Sequence, residues 1–131
     1  MDLINGDVFF GTHADLLNEL GIRTRKGERF KQYYKGTYEL DDNTYIWIIS
    51  IDGKQHSGWV NRWSDVDTII EYNLENDEHP IGLTHKYRVV FDKERTGQGN
   101  KFIFRGYFIL QSESTNQKRI IKRTSDIFNI K

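Results

Sequence analysis

The sequence has 131 residues, of which 14% are aromatic, one is proline and none is cysteine, with 19 basic and 19 acidic side chains. A chain of this size forms one domain, 1–131, with a genuine core, and so aromatic a composition excludes disorder. The lack of cysteine excludes disulfides and thiolate metal sites; no apolar run reaches the ~20 residues that span a bilayer, and the N-terminus is no signal peptide, so a cytoplasmic protein off the membrane is expected.

In chain order, Thr12 as N-cap with Asp15 three residues on predicts a helix start. Leu16, Leu17 and Leu20 form its apolar face, and Gly21 is a natural left-handed stop, which makes one helix of about nine residues. A basic loop follows from Arg23 to Arg29, and a strand is expected near Gly36 to Leu40. Asp41-Asp42-Asn43 is a turn. Tyr45 to Ile51 is apolar, β-branched and aromatic, and so a strong strand, with Trp47 in the core. Asp52-Gly53 is the signature of a type I′ hairpin, whose return strand would hold Gly58, Trp59, Val60 and Asn61. Val66 to Tyr72 is a further strand, and Asn73 to Pro80 an acidic loop. Tyr87 to Phe91 is a strand, Thr96 to Asn100 a turn, and Lys101 to Leu110 the longest strand, with Gly106 marking a bulge. A basic strand from Lys118 to Arg123 closes the pattern. One short helix and about six closely connected strands predict a mainly β domain with mostly antiparallel pairing, curled into a barrel or sandwich.

The balanced charge conceals an asymmetry. Residues 1–35 carry six basic and five acidic groups, residues 36–85 two and ten, and residues 86–131 eleven and four. This predicts one acidic and one basic face, unless the two segments pack together and neutralise each other.

Several chemistries lack their motifs. Gly97-Gln98-Gly99 precedes a strand and is followed by no Lys-Ser or Lys-Thr, so it is a turn and not a phosphate loop. His13, His56, His79 and His85 share no metal-ligand spacing, and there is no HExxH motif, nucleophile elbow or HNH-type finger. His13 with Asp15, or His79 with Glu78, would need the fold to assemble them into a site. Asp65 and Asp67 share one side of a strand and would serve metal-dependent hydrolysis only with further ligands. No catalytic residue, metal ligand or cofactor is assigned.

Binding chemistry is better represented. On a strand, Trp59, Asn61 and Trp63 share a face, with Arg62 between them. Two indoles flanking an amide suit a planar base, the indoles stacking and the amide reading an edge; the alternative is that an indole belongs to the core. Basic residues cluster at Arg23, Arg25, Lys26, Arg29 and Lys31, beside Tyr33 and Tyr34, and again at Lys118, Arg119, Lys122 and Arg123. Basic groups interleaved with aromatics suit phosphate contact and base stacking; the alternative is a solvated loop and an edge strand kept soluble by charge.

Gly6-Asp7-Val8-Phe9 followed by a short helix ending in Leu-Gly resembles the entry of PUA-like domains of the SRA or YDG type, which accompany HNH nucleases in modification-dependent restriction. Tyr87-Arg88-Val89-Val90-Phe91, a glycine turn and Phe102-Ile103-Phe104-Arg105-Gly106-Tyr107-Phe108 resemble their closing hairpin. The resemblance implies a curved antiparallel β-barrel that binds DNA and, in SRA members, flips a modified cytosine into an aromatic pocket. The usual glycine- and tyrosine-rich middle segment is replaced by Trp59 to Asp67.

Three readings follow. The first is a nucleic-acid-binding module without chemistry of its own, the partner being DNA in a restriction or defence setting. The second is a phage-encoded inhibitor of a host defence nuclease, of the anti-CRISPR kind, in which the acidic segment 65–78 mimics DNA phosphates. The third is a small metal-dependent hydrolase using Asp65, Asp67 and a histidine.

Overall fold

The computed structural model describes residues 1–53, 59–73, 86–115 and 117–131. Thr12 opens the single helix among them, α1 (His13–Glu19), through a reciprocal capping box. Its hydroxyl accepts from the Asp15 amide at 3.1 Å, and the Asp15 carboxylate accepts from the Thr12 amide at 2.8 Å. Gly21, at φ +80°, takes the left-handed conformation that turns the chain away after the helix. Leu16, Leu17 and Leu20 are buried against the sheet, each contributing about 1.5–3 kcal/mol. Buried Asn18 fastens the basic loop to the helix, donating to the Phe30 carbonyl at 2.9 Å and accepting from the Phe30 amide at 2.8 Å.

The strands are β1 (Asp2–Ile4), β2 (Val8–Gly11), β3 (Thr37–Glu39), β4 (Thr44–Ile49), β5 (Trp59–Asp65), β6 (Thr68–Asn73), β7 (Tyr87–Thr96), β8 (Gly99–Leu110), β9 (Lys118–Ser125) and β10 (Ile127–Asn129). β1 and β10 form a two-stranded ribbon. The remaining eight build one sheet in the order β3-β4-β7-β8-β9-β6-β5, with β2 paired to β8 off that path. The expected β architecture with one short helix is therefore present among the described residues.

Two expectations need correction, and one strand pair departs from the mostly antiparallel pattern. The pairing is antiparallel except between β4 and β7, which run parallel from Thr44↔Tyr87 to Ile49↔Asp92. A parallel pair needs a crossover, and the described residues of this one form the β5–β6 pair. The Asp52-Gly53 turn does not lead into a return strand on β4: β5 pairs with β6, through Trp59↔Asn73 to Asp65↔Thr68. Asp52 does take the left-handed backbone expected of it, at φ +61°. Its amide donates to the Asn61 carbonyl at 2.8 Å and its carboxylate accepts from the Trp63 amide at 3.2 Å. The sheet is also not closed into a barrel, because its path ends at β3 and β5. The outer edge of β4 is already taken, by β3 at residues 45–47 and by the Gly36 carbonyl, which accepts from the Ile48 amide at 2.7 Å.

The strand alternation sends side chains to two cores. Ile46, Ile48, Val89, Phe91, Phe102 and Phe104 pack with α1 and with Leu3 and Ile130. Tyr45, Trp47, Val90, Phe108 and Leu110 pack on the other side with Ile69 and Ile121 from β6 and β9. Strands four places apart in the sheet thus share a core, which requires the sheet to roll over on itself. The bulge expected at Gly106 is present, with a register shift opposite Val90/Phe91 and φ +123°.

Candidate functional site

Where the rolled sheet stays open, the end of β4 faces the start of β5 across a cleft of about 600 Å³. Its walls include Ile49 at the end of β4 with Ser50 and Ile51 after it, Trp59 and Asn61 on β5, and Asp92 and Lys93 on β7. Arg88, Val90 and Asp92 alternate onto one face of β7, and parallel pairing sets them beside Tyr45, Trp47 and Ile49. Asp92 therefore arrives at the cleft as the polar end of an otherwise interior row. Its carboxylate accepts from the Ile51 amide at 3.1 Å and lies 3.9 Å from the guanidinium of Arg105. Burial pushes the Asp92 carboxyl above its ordinary value, against the pull of that amide and of Arg105.

Behind Trp59 lies a buried ionic cluster. Glu71 Oε1 accepts from Arg119 Nη1 at 2.9 Å and sits 3.7 Å from Arg88 Nη1. Register accounts for the meeting, since Asn61, Glu71 and Arg119 are direct cross-strand partners on β5, β6 and β9. Arg88 is fully buried, its guanidinium 4.5 Å from the Trp47 ring centre and 5.2 Å from that of Tyr45. Arg119 lies 4.3 Å from the Trp59 ring centre. Burial pushes the Tyr45 hydroxyl up to about 12, so it remains a neutral phenol. The cluster holds one acid between two guanidiniums and stacks both on aromatic faces, which fixes the Trp59 ring in position.

The structure divides the residues singled out by sequence. Trp59 and Asn61 come together at the cleft. Trp63, on the same face of β5, is packed into the second core, 6.2 Å from Phe108, and also borders a shallow groove with Ser64, Val66, Arg105 and Arg123. Arg119, expected to contact phosphate, is turned inward and engaged with Glu71. Arg123, also expected on phosphate, is a structural clamp. Its Nε donates to the Arg105 carbonyl at 2.8 Å, and its Nη1 reaches the Val66 carbonyl and the Asp67 carboxylate, both at 2.7 Å. Lys118, Lys122 and Arg62 are exposed on the outward face of β9 and β5. β9 lies between β8 and β6, so it is not the edge strand that the alternative reading supposed. Arg23, Arg25, Lys26, Arg29 and Lys31 are exposed, and Arg23 also donates to the Ile22 and Asn18 carbonyls at the end of α1.

Asp65 and Asp67 occupy the β5–β6 turn. The Asp67 amide donates to Asp65 at 2.8 Å and holds that carboxyl below its ordinary value. Among the described residues no three His, Cys, Asp or Glu side chains are grouped to hold a metal, and no helix is long and apolar enough to cross a membrane. His56, His79, Glu78 and His85, and residues 74–78 of the acidic segment 65–78, lie outside the described residues. Sequence reasoning missed Asp92, Lys93, Glu71 and Arg88 as site residues. The available signal was a charged residue in line with a β-branched one two places away on the same strand, as Arg88 and Asp92 are with Val90, and Glu71 with Ile69.

A rolled, open mixed sheet with one helix over its outer core and an aromatic, hydrogen-bonding cleft at the gap is a PUA-like β domain. The chain belongs to the SET and RING associated (SRA) domain family, whose model matches residues 3–130. A solved structure with the same fold, described as the 5-hydroxymethylcytosine-specific restriction enzyme AbaSI, superposes with a TM-score of 0.70 at 20% identity. The match covers 95% of this chain but only 40% of that one. No curated protein matches the sequence.

Proposed function

We propose that this domain binds DNA, takes one cytosine-type base out of the stack into the cleft, and reads its modification for a nuclease that lies on another domain or protein. The observation that carries the reading is the convergence of the Trp59 ring, the Asn61 amide and the Asp92 carboxylate on one cleft of about 600 Å³. A flipped base needs a flat surface to stack on and polar groups along its edge. Trp59, backed by Arg119, supplies the surface. The exocyclic amine of cytosine is a donor, which an ionised Asp92 accepts, and the Asn61 amide both donates and accepts. The volume suits a small ligand and leaves room for a substituent on the ring. Family membership supports DNA as the ligand, and the name of the solved relative supports modified cytosine as the first base to test.

Phosphates flanking a base held in this cleft must lie at its mouth. The exposed basic segment from Arg23 to Lys31 is suited to them by charge. The acidic-mimic reading draws no support from the family match, and the hydrolase reading has no assembled metal ligands among the described residues to favour it.

The test is a tryptophan-fluorescence titration with duplexes containing cytosine, 5-methylcytosine or 5-hydroxymethylcytosine at one site, at two salt concentrations, repeated with Trp59→Leu. The expected result is salt-sensitive quenching, tighter for a modified duplex, with Trp59→Leu losing about 1–3 kcal/mol of binding as expected for one stacked base. Equal affinity of the native domain for all three duplexes would sink the modified-base reading.

A further inference from the structure

A second cleft, of about 320 Å³, opens beside the first and is lined by Lys31, Gln32, Tyr34 and Asn100. His13 and Lys93 border both clefts and form the wall between them. The protonation of this wall follows from its contacts. His13 Nδ1 lies 2.8 Å from the Lys35 carbonyl, which can only accept, so Nδ1 carries the proton and Nε2 presents a lone pair. Lys93 donates to Nε2 from 3.1 Å. The ring stands edge-on to Phe102 at 5.7 Å, which fixes its orientation. Burial lowers the His13 pKa, the Lys35 hydrogen bond opposing and the nearby ammonium adding to the effect, so the imidazole is neutral near pH 7; burial and then Arg95 lower the Lys93 pKa from its ordinary value as well, which makes a counter-charge at its ammonium favourable.

Lys93 is thus a half-buried ammonium whose anchor is a neutral ring. Among the described residues no carboxylate lies within ion-pair distance of it or of Lys31. An ammonium has three donors, and one is used on His13. Two lysines with no counter-charge among the described residues border a cleft contiguous with the candidate base cleft, and an exposed tyrosine, Tyr34, 83% accessible, stands at the same cleft.

We infer that this second cleft seats a backbone phosphate next to the flipped nucleotide, held by Lys93 and Lys31, with Tyr34 offering a stacking surface to the neighbouring base. The inference rests on the base-cleft reading for the position of the nucleotide, but its evidence is separate: a different cleft, different residues and a cation anchored by a neutral histidine. Phosphate neutralisation and base reading also leave different signatures. Each phosphate neutralised on duplex DNA contributes about 0.9 to the slope of log affinity against log salt, whereas base contacts set the ratio between sequences.

The experiment measures affinity for 5-hydroxymethylcytosine and plain duplexes over a series of salt concentrations, for the native domain, Lys31→Ala, Lys93→Met and the double variant. Lys31 is exposed, so its replacement tests the seat without threatening the fold. The double variant is expected to lower the magnitude of the slope by about 0.9, with the preference for the modified duplex kept within twofold. Lys31→Ala alone is expected to weaken binding at low salt and to lose that effect at high salt. An unchanged slope in both Lys31→Ala and the double variant overturns the phosphate seat. A lowered slope in a domain whose Trp59→Leu variant keeps full base preference supports the seat and removes the base-cleft reading, so the two fail separately.

Discussion

Arg119 lies against Trp59 with its guanidinium carbon 4.3 Å from the ring centre, while its Nη1 donates to Glu71 at 2.9 Å. One side chain therefore joins the stacking surface of the cleft to the ionic cluster behind it. Glu71 is also within 3.7 Å of Arg88, which stacks on Trp47 and Tyr45, so five aromatic and charged side chains are held in place through one carboxylate. The cleft is built on a rigid interior, as a site that must hold a planar ligand requires.

Replacing Glu71 by Gln removes the carboxylate that the buried guanidiniums of Arg119 and Arg88 share. Removing one member of a buried ionic group costs about 3–5 kcal/mol, because the remaining charge stays desolvated. Glu71→Gln is expected to lower the urea midpoint by a corresponding amount and to weaken DNA binding by loosening Trp59. A loss below about 1 kcal/mol, the range of a solvated surface pair, would mean that the cluster is not what holds the cleft together.

Asp92 couples stability to pH in the opposite sense from an ordinary paired carboxylate. Burial first, against the Ile51 amide and Arg105, raises its pKa above the usual 3.8, so the native state binds the proton more tightly than the unfolded chain. Its contribution to stability is complete below the unfolded value and is lost as pH rises through the raised folded value. Asp92→Asn keeps an oxygen that can accept from the Ile51 amide and removes the buried charge. The variant is expected to be more stable than the native domain at pH 7, with the difference vanishing below the unfolded carboxylate pKa. It is also expected to lose preference for a base presenting an amino group. Equal melting temperatures at pH 7 would show that the site solvates the carboxylate adequately.

The parts of this structure that local chemistry determines were legible in the sequence. The Thr12–Asp15 capping box, the Gly21 stop, the turn before Gly99 and the Gly106 bulge each depend on a few adjacent residues. Asp52 illustrates where local signals stop: its left-handed backbone was predictable, but the partner of β5 was not, because β3 and Gly36 compete for the edge of β4 and win. The parallel β4–β7 pair joins segments whose pairing depends on the whole strand order. At the site, Trp59 and Asn61 were visible as a same-face pair. Arg119 and Arg123 were read by charge, as surface groups, although alternation with Ile121 already put both on the inner face of β9. Asp92 and Lys93 were missed because their neighbours at the cleft, Asn61 and His13, are distant in the chain.

Gly106 permits a close approach between β8 and β9. A Cβ there would lie 2.7 Å from the Ser125 carbonyl oxygen and 3.1 Å from Arg123 Nε, and the residue sits at φ +123°, where an L side chain is strained. Gly106→Ala is expected to cost at least about 1–3 kcal/mol, the usual range for overpacking, read as a lowered midpoint in chemical denaturation. It should also free Arg123 from the Arg105 carbonyl and loosen the β5–β6 turn, where that arginine holds Val66 and Asp67. A neutral effect would mean that β9 can shift without penalty.

Lys118 and Lys122 separate two ways of placing DNA on the domain. Both are exposed and belong to the face of β9 opposite Arg119 and Ile121, whereas the cleft is built from the inner face of the rolled sheet. DNA that delivers a base into the cleft approaches the mouth bordered by Lys93, and so lies away from these two lysines. Lys118→Ala with Lys122→Ala is therefore expected to leave the salt slope within about 0.3 of the native value, against a fall of about 1.8 if each held a phosphate. The larger fall would place the duplex across the outer face of β9, β6 and β5 and require DNA to wrap around the end strand to reach the cleft. The same pair of variants leaves folding stability nearly unaltered in either case, since exposed substitutions away from caps and networks usually shift it by no more than about 0.5 kcal/mol.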